Sequence, residues 1–125
     1  CNVNIVAYSD ERKKKNSVTR DGALDKVLQL RGVYYERIED VSTDETDKMF
    51  GGRQVGMIAQ EVEKVLPEVV SYAVETDEYG LDYPKMIGLL VEAHKDQQKL
   101  INSQQEKIDK LEEMLYNIMN KMENK

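Results

Sequence analysis

Between Lys85 and Glu123 the chain has a single glycine, Gly88, and no proline. Such a run reads as one helix of about 40 residues, about 60 Å long. Placing Ile101 at heptad position a also puts Ile87, His94, Ile108, Leu115 and Met122 at a, with Leu90, Gln97, Gln104, Leu111 and Ile118 at d. All of these but His94, Gln97 and Gln104 are apolar, which is the pattern of a coiled coil. The rest of the chain is too small to bury such a seam, so the expected partners are copies of the chain itself. Isoleucine at a with mixed Leu and Ile at d leans away from a dimer. Met114 at g and Met119 at e widen the apolar face, and Lys107 at g can pair with Glu112 at the next e between parallel neighbours. A parallel homotrimer is therefore expected. His94, Gln97 and Gln104 read as a polar layer that sets register, with a ligand-binding or pH-sensing His94 ring as the alternative.

Composition narrows what the remainder can be. Of 125 residues 40% are hydrophobic and 34% charged, leaner and more charged than an ordinary globular domain. No apolar run is long enough to span a bilayer, so no membrane role is expected. A lone Cys1 excludes an internal disulfide framework and a cysteine zinc site, and with His94 the only histidine no metal or other cofactor is expected. The chain opens on Cys1 without a signal peptide and reads as part of something longer. Residues 84–125 are neutral overall, so the whole net charge of −6 lies in residues 1–83. There, Arg12, Lys13, Lys14, Lys15 and Arg20 form a basic cluster, and Glu36 to Asp47 an acidic stretch. The cluster is open to a nucleic-acid or import reading, but an acidic chain without interleaved aromatics favours a solvated loop. The acidic stretch lacks the glycine and final glutamate of an EF-hand and reads as a mobile loop.

Along the chain, Val3, Ile5 and Ala7 alternate with polar neighbours and predict a strand. Leu24, Val27, Leu28 and Arg31 recur at helical spacing, with Gly32 as the stop. Val33–Ile38 predicts a second strand, and Ile58–Leu66 a helix ending before Pro67. Val69–Val74 and Leu81–Tyr83 predict a hairpin turning at Asp77–Gly80, and Pro84 suits the first turn of the long helix. The fold class is α+β: a small head of short strands and helices, then the helical stalk. The division is 1–8 as the remainder of a parent protein, 9–83 as the head and 84–125 as the coiled coil.

The chemistry rests on Ser9 and the lysines after it. Serine and lysine form a hydrolase dyad when a neutral lysine takes the hydroxyl proton, and neighbouring cations or burial favour the neutral amine. Spacing alone does not carry this reading, because Ser9-Asp10 equally suits a turn or a helix cap.

Four sequence blocks bear on it together. Ser9-Asp10-Glu11-Arg12-Lys13-Lys14 resembles the S-D-x-R-x-K signature of the intramolecular chaperone, or auto-processing, domain that ends phage tailspikes, endosialidases, tail fibres and neck appendages. Ala23-Leu24 followed by Leu30-Arg31-Gly32-Val33-Tyr34-Tyr35 resembles the family's A-L…L-x-G-V-x-Y. Gly56-Met57-Ile58-Ala59-Gln60-Glu61-Val62-Glu63 through Leu66-Pro67-Glu68-Val69-Val70 is similar to its G-x-I-A-Q-E-V-E…L-P-E-x-V. Asp82-Tyr83, Leu89-Leu90-Val91-Glu92-Ala93 and Lys95 resemble the D-Y…L-L-x-E-A-x-K block. The chain departs from the pattern at Ser17 and His94, where apolar residues are usual.

The resemblance implies a homotrimeric chaperone, joined to an upstream spike or appendage domain of the same chain, that registers three chains and then removes itself. It places the scissile bond between Tyr8 and Ser9, with Ser9 as nucleophile and Lys14 as base, acting once on its own chain. Asp10 and Arg12 enter as orienting groups, and Gln60 and Glu61 as candidate supports that packing or capping would explain equally well. It implies a viral protein made in the host cytoplasm and released after cleavage. The competing readings are a non-cleaving trimerisation domain and the auto-processing domain of a membrane-tethered transcription factor. The latter is disfavoured because neither a membrane segment nor a DNA-binding module accompanies it.

Overall fold

The long helix organises the molecule. In the computed structural model, which describes residues 6–38 and 53–124, it runs from Ile87 to Glu123, 37 residues. It is entered through a short 3₁₀ turn, Tyr83–Met86, that holds Pro84 in its first residues, where the missing N–H breaks no helical bond. At 1.5 Å per residue the helix is about 55 Å long. Every residue from Gln97 to Met119 is exposed, so the shorter elements engage only its first turns.

Those elements are helix α1 (Ala23–Leu28), strands β1 (Val33–Tyr35) and β2 (Gln54–Gly56), helix α2 (Ala59–Glu63), and strands β3 (Val70–Ala73) and β4 (Glu78–Leu81); the long helix is α3. The strands form two separate antiparallel pairs. Val33 lies opposite Gly56 in one, and Val70 opposite Leu81 in the other. The architecture is α+β, with small antiparallel sheets and one long helix.

The core is small. Ala23 of α1, Val62 of α2, Leu66 and Val69 around the 3₁₀ turn Pro67–Val69, and Met86, Leu89 and Ala93 of the helix entry are all buried. Partly buried Leu24, Val27, Met57 and Leu81 close around them. α1 lies along α3, and its amino end carries no side-chain cap of its own. Asp96 supplies one from the neighbouring helix, accepting the Leu24 N–H at 3.4 Å.

Leu89 and Ala93, which face this core, occupy heptad positions c and g. Leu90 and His94, one residue on, lie about 100° around the helix and are exposed. The helix thus has two apolar stripes, one filled by the chain's own short elements and one left bare.

Several expectations shift. α1 ends at Leu28 with Gln29 as its cap, short of Gly32, because Leu30 turns inward against the core. β1 stops at Tyr35 and leaves Ile38 exposed, while α2 stops at Glu63. The hairpin tip is Val74–Asp77 rather than Asp77–Gly80: Glu78, Tyr79 and Gly80 all pair with β3. Asp77 takes the left-handed position of that turn, φ 55°, which aspartate tolerates better than most residues. Gly80 lies within the strand, where a Cβ would meet Ser71 Oγ at 3.2 Å across the pair. Residues 6–8 form no strand, and the rest of the expected first strand, with the acidic stretch 39–52, lies outside the described residues.

Candidate functional site

The segment 9–14 folds on itself. Asp10 is extended (φ −70°, ψ 127°), and its carboxylate accepts the Arg12 backbone N–H at 2.9 Å, capping a single 3₁₀ turn, Glu11–Lys13. The same carboxylate grips the Arg12 side chain through Nε at 3.1 and 3.2 Å and a terminal nitrogen at 2.7 Å. The turn closes as Lys13 N–H donates to the Asp10 carbonyl at 3.1 Å and Lys14 N–H to that of Glu11 at 3.0 Å. Lys14 then leaves in an extended conformation (φ −115°, ψ 148°).

This reversal carries Lys14 back over Ser9. Its Nζ donates to Ser9 Oγ at 2.6 Å, across five residues of sequence. A serine–lysine pair at that separation needs only a neutral amine for the proton to move the other way, from hydroxyl to nitrogen. The Arg12 side-chain bonds, then its backbone N–H, hold the Asp10 carboxyl below the usual aspartate range, and Asp10 raises Arg12 in return. The clasp is therefore fully charged at neutral pH. Asp10 is thus the cap that its position beside Ser9 suggests.

Gln60 and Glu61 sit elsewhere. Glu61, in the first turn of α2, receives Arg31 through a terminal nitrogen at 2.7 Å and Nε at 3.3 Å, a half-exposed pair that ties the loop after α1 to α2. Gln60 is exposed beside the groove between α2 and the β3–β4 hairpin. Among the described residues no hydrogen bond joins either to Ser9 or Lys14. His94 and Gln97 are exposed on the bare stripe of α3, as is Gln104 further along.

Two arrangements escaped sequence reasoning. Arg20, assigned only to the basic cluster, pairs with Glu68 and ties the leading segment to the turn after α2. Glu68 is held below the usual glutamate range chiefly by a bond to its own backbone N–H, with Arg20 contributing. Tyr83 reaches across to β2: Met57 N–H donates to its hydroxyl at 3.2 Å, and a Cβ on Gly56 would meet that hydroxyl at 3.0 Å. The Gly56-Met57 and Asp82-Tyr83 blocks are thus two halves of one contact, whose only sequence signal is that both occur.

The chain thus combines a small α+β unit with a serine–lysine hydrogen bond ahead of it and a long helix behind it. Residues 9–71 match a peptidase family described as the chaperone of endosialidase, and the chain belongs to that family, the chaperone domains of phage fibre and spike proteins. The long tail fiber protein Gp37 of Enterobacteria phages M1 and Ox2 is 39% identical over 74 residues, covering 58% of this chain and 28% of each relative. Its counterpart in Enterobacteria phage K3 is 34% identical over 98 residues, 74% of this chain and 7% of that protein. The chain therefore spans 28% or less of the length of these relatives. No helix among the described residues is long and apolar enough to cross a membrane.

Proposed function

We propose that three copies of this chain assemble in parallel through the bare stripe of α3, register an attached fibre or spike, and then sever themselves from it between Tyr8 and Ser9. The observation that carries the chemical half is the 2.6 Å bond between Lys14 Nζ and Ser9 Oγ, built by the Asp10–Arg12 clasp within the matched segment. The assembly half rests on Ile87, Leu90, Ile101, Ile108, Leu111, Leu115, Ile118 and Met122, each at least 48% exposed in the single chain and all on one stripe. His94, Gln97 and Gln104 form the polar layer of that seam.

Ser9 Oγ attacks the Tyr8 carbonyl carbon as its proton passes to neutral Lys14 Nζ. The bond from that carbon to the Ser9 nitrogen breaks, the nitrogen takes up the proton, and Tyr8 is left as an ester on Oγ. Water hydrolyses the ester, giving a Tyr8 carboxylate and a chain that begins at Ser9. Asp10 and Arg12 hold the turn that brings Lys14 over Ser9. Residues 1–8 then belong to the parent protein, 9–83 to the head and 84–125 to the stalk.

The division of labour follows from folding physics. Long β-structure assembled from three chains needs non-local pairing, which is slow and leaves edges bare meanwhile. A trimeric stalk raises the effective concentration of the chains for one another. Removing it afterwards makes unfolding of the product effectively irreversible, so the fibre gains kinetic stability. The domain is made in the host cytoplasm with its fibre and released at the end.

The test is the denatured mass of a longer chain that continues upstream of Cys1, beside its Ser9→Ala variant. Two pieces from the parent, the smaller starting at Ser9, with the variant whole, support the reading. Both whole while trimeric leaves a non-cleaving trimerisation domain, a reading favoured only by the solvent exposure of the pair.

A further inference from the structure

We propose that the groove between α2 and the β3–β4 hairpin receives the leading segment, residues 6–15, of a neighbouring copy of this chain. The inference rests on the trimeric self-cleaving reading and names where its leading segment docks.

The groove is lined by Met57, Ile58, Tyr79 and Tyr83 together with Gln60, Asp77 and Glu78. The segment between Pro67 and Tyr83, which supplies most of one wall, holds five carboxylates and no basic residue. Three of these are engaged, Glu68 by Arg20, Asp77 by the Tyr72 hydroxyl and Asp82 by Lys85. Glu75 and Glu78, on the hairpin tip and at the start of β4, have no ion-pair partner among the described residues.

The leading segment is the complement of this surface. Val6 is 81% exposed and Tyr8 fully so, and four consecutive cations, Arg12 to Lys15, follow them. Of these, Lys13 and Lys15 have no carboxylate partner among the described residues. A segment that carries Val6 and Tyr8 and then positive charge fits a groove lined by tyrosines, aliphatic side chains and carboxylates.

The occupant comes from another copy because the chain does not fill its own groove. The hydrogen bonds of Ser9 to Lys14 close within that segment, and Val6 and Tyr8 are bare. Three parallel helices in register set three heads at one level, so each groove can take the segment of the next copy and the ring closes. Docking shields the Tyr8–Ser9 bond from bulk water. The partner's groove then holds the segment that carries the scissile bond.

The experiment is photocrosslinking in the longer chain carrying Ser9→Ala, which keeps it whole whatever its activity. Chains with Tyr79→p-benzoylphenylalanine are co-assembled with an excess of heavy-isotope chains, and Ile58→p-benzoylphenylalanine serves as a second, independent probe. The expected product joins a light groove peptide to a heavy peptide from residues 6–15. Glu78→Lys should cut its yield about threefold, with Lys13→Glu on the heavy chains restoring it. Light-to-light products alone, heavy products from elsewhere, or none in a trimeric sample overturn the proposal and leave the trimeric reading standing. A monomer by sedimentation overturns both.

Discussion

Replacing Leu89 with alanine separates the two jobs of the long helix. Leu89 is 0% exposed and sits in a core of seven buried residues among those described, while its neighbour Leu90 is 52% exposed on the other stripe. Truncating a fully buried leucine removes its transfer free energy and leaves a cavity, together about 3 kcal/mol. For a unit this size such a loss lowers the melting temperature by roughly 10–20 °C. The stalk should not register it, because position c faces away from the a/d seam. The opposite perturbation is Ile101→Asp: Ile101 is 54% exposed in the single chain, so the head should lose nothing, yet three carboxylates would meet on the axis of the trimer. Hydrogen exchange at the β3–β4 amides reads the head, and sedimentation equilibrium reads the assembly. Leu89→Ala should raise exchange and leave the mass at three chains; Ile101→Asp should leave exchange alone and give single chains. If Leu89→Ala leaves the head's melting point within about 2 °C of the parent, or Ile101→Asp unfolds the head equally, the two-stripe account is wrong.

Other expectations follow from single contacts. Asp10→Ala should slow fragment release about tenfold or more, and Asp10→Asn less, because asparagine keeps the cap on the Arg12 N–H; equal losses would exclude the cap as the reason. The folded Asp10 carboxyl is depressed, so its clasp contributes above the ordinary aspartate range and is lost as pH falls through the lowered value; carboxyl-carbon NMR of Asp10, with and without Arg12→Ala, tests this. Gly56→Ala should destabilise the head by about 1 kcal/mol in a denaturant melt, and by less in a Tyr83→Phe background, because the added Cβ meets the Tyr83 hydroxyl. The Tyr72 phenol donates to Asp77, which raises its ionisation above the ordinary tyrosine value. That bond contributes below the unfolded value and is lost as pH rises through the raised one, and Asp77→Ala should bring the Tyr72 absorbance titration down in pH.

The Ser9–Lys14 contact is local in sequence, though the family signature rather than the spacing singles it out. Ser9, Asp10, Arg12 and Lys14 lie within six residues, and one capped turn is enough to bring the lysine to the serine. Gln60 and Glu61 were named together from one motif, yet Glu61 serves Arg31 and Gln60 borders a groove, since adjacent helical residues face different directions. Strand β2 was not legible at all. Gln54–Gly56 has neither alternation nor β-branched enrichment beyond Val55, and it is a strand because β1 lies beside it. The hairpin was recognised but its tip displaced, because Gly80 looked like a turn residue when it pairs with Ser71 inside the ladder.

The long helix shows most clearly where local information ends. An unbroken run without proline and an apolar heptad are properties of the chain alone, and they determined that α3 exists and where its a/d stripe of apolar residues runs. That Leu89 and Ala93 form a second stripe, and that α1 occupies it with Asp96 capping its amino end, depended on segments some 70 residues apart in sequence coming together. Periodicity records which positions are apolar but not what covers each of them. Only the packing of the head against one face decided which apolar residues the chain buries by itself and which it leaves for others.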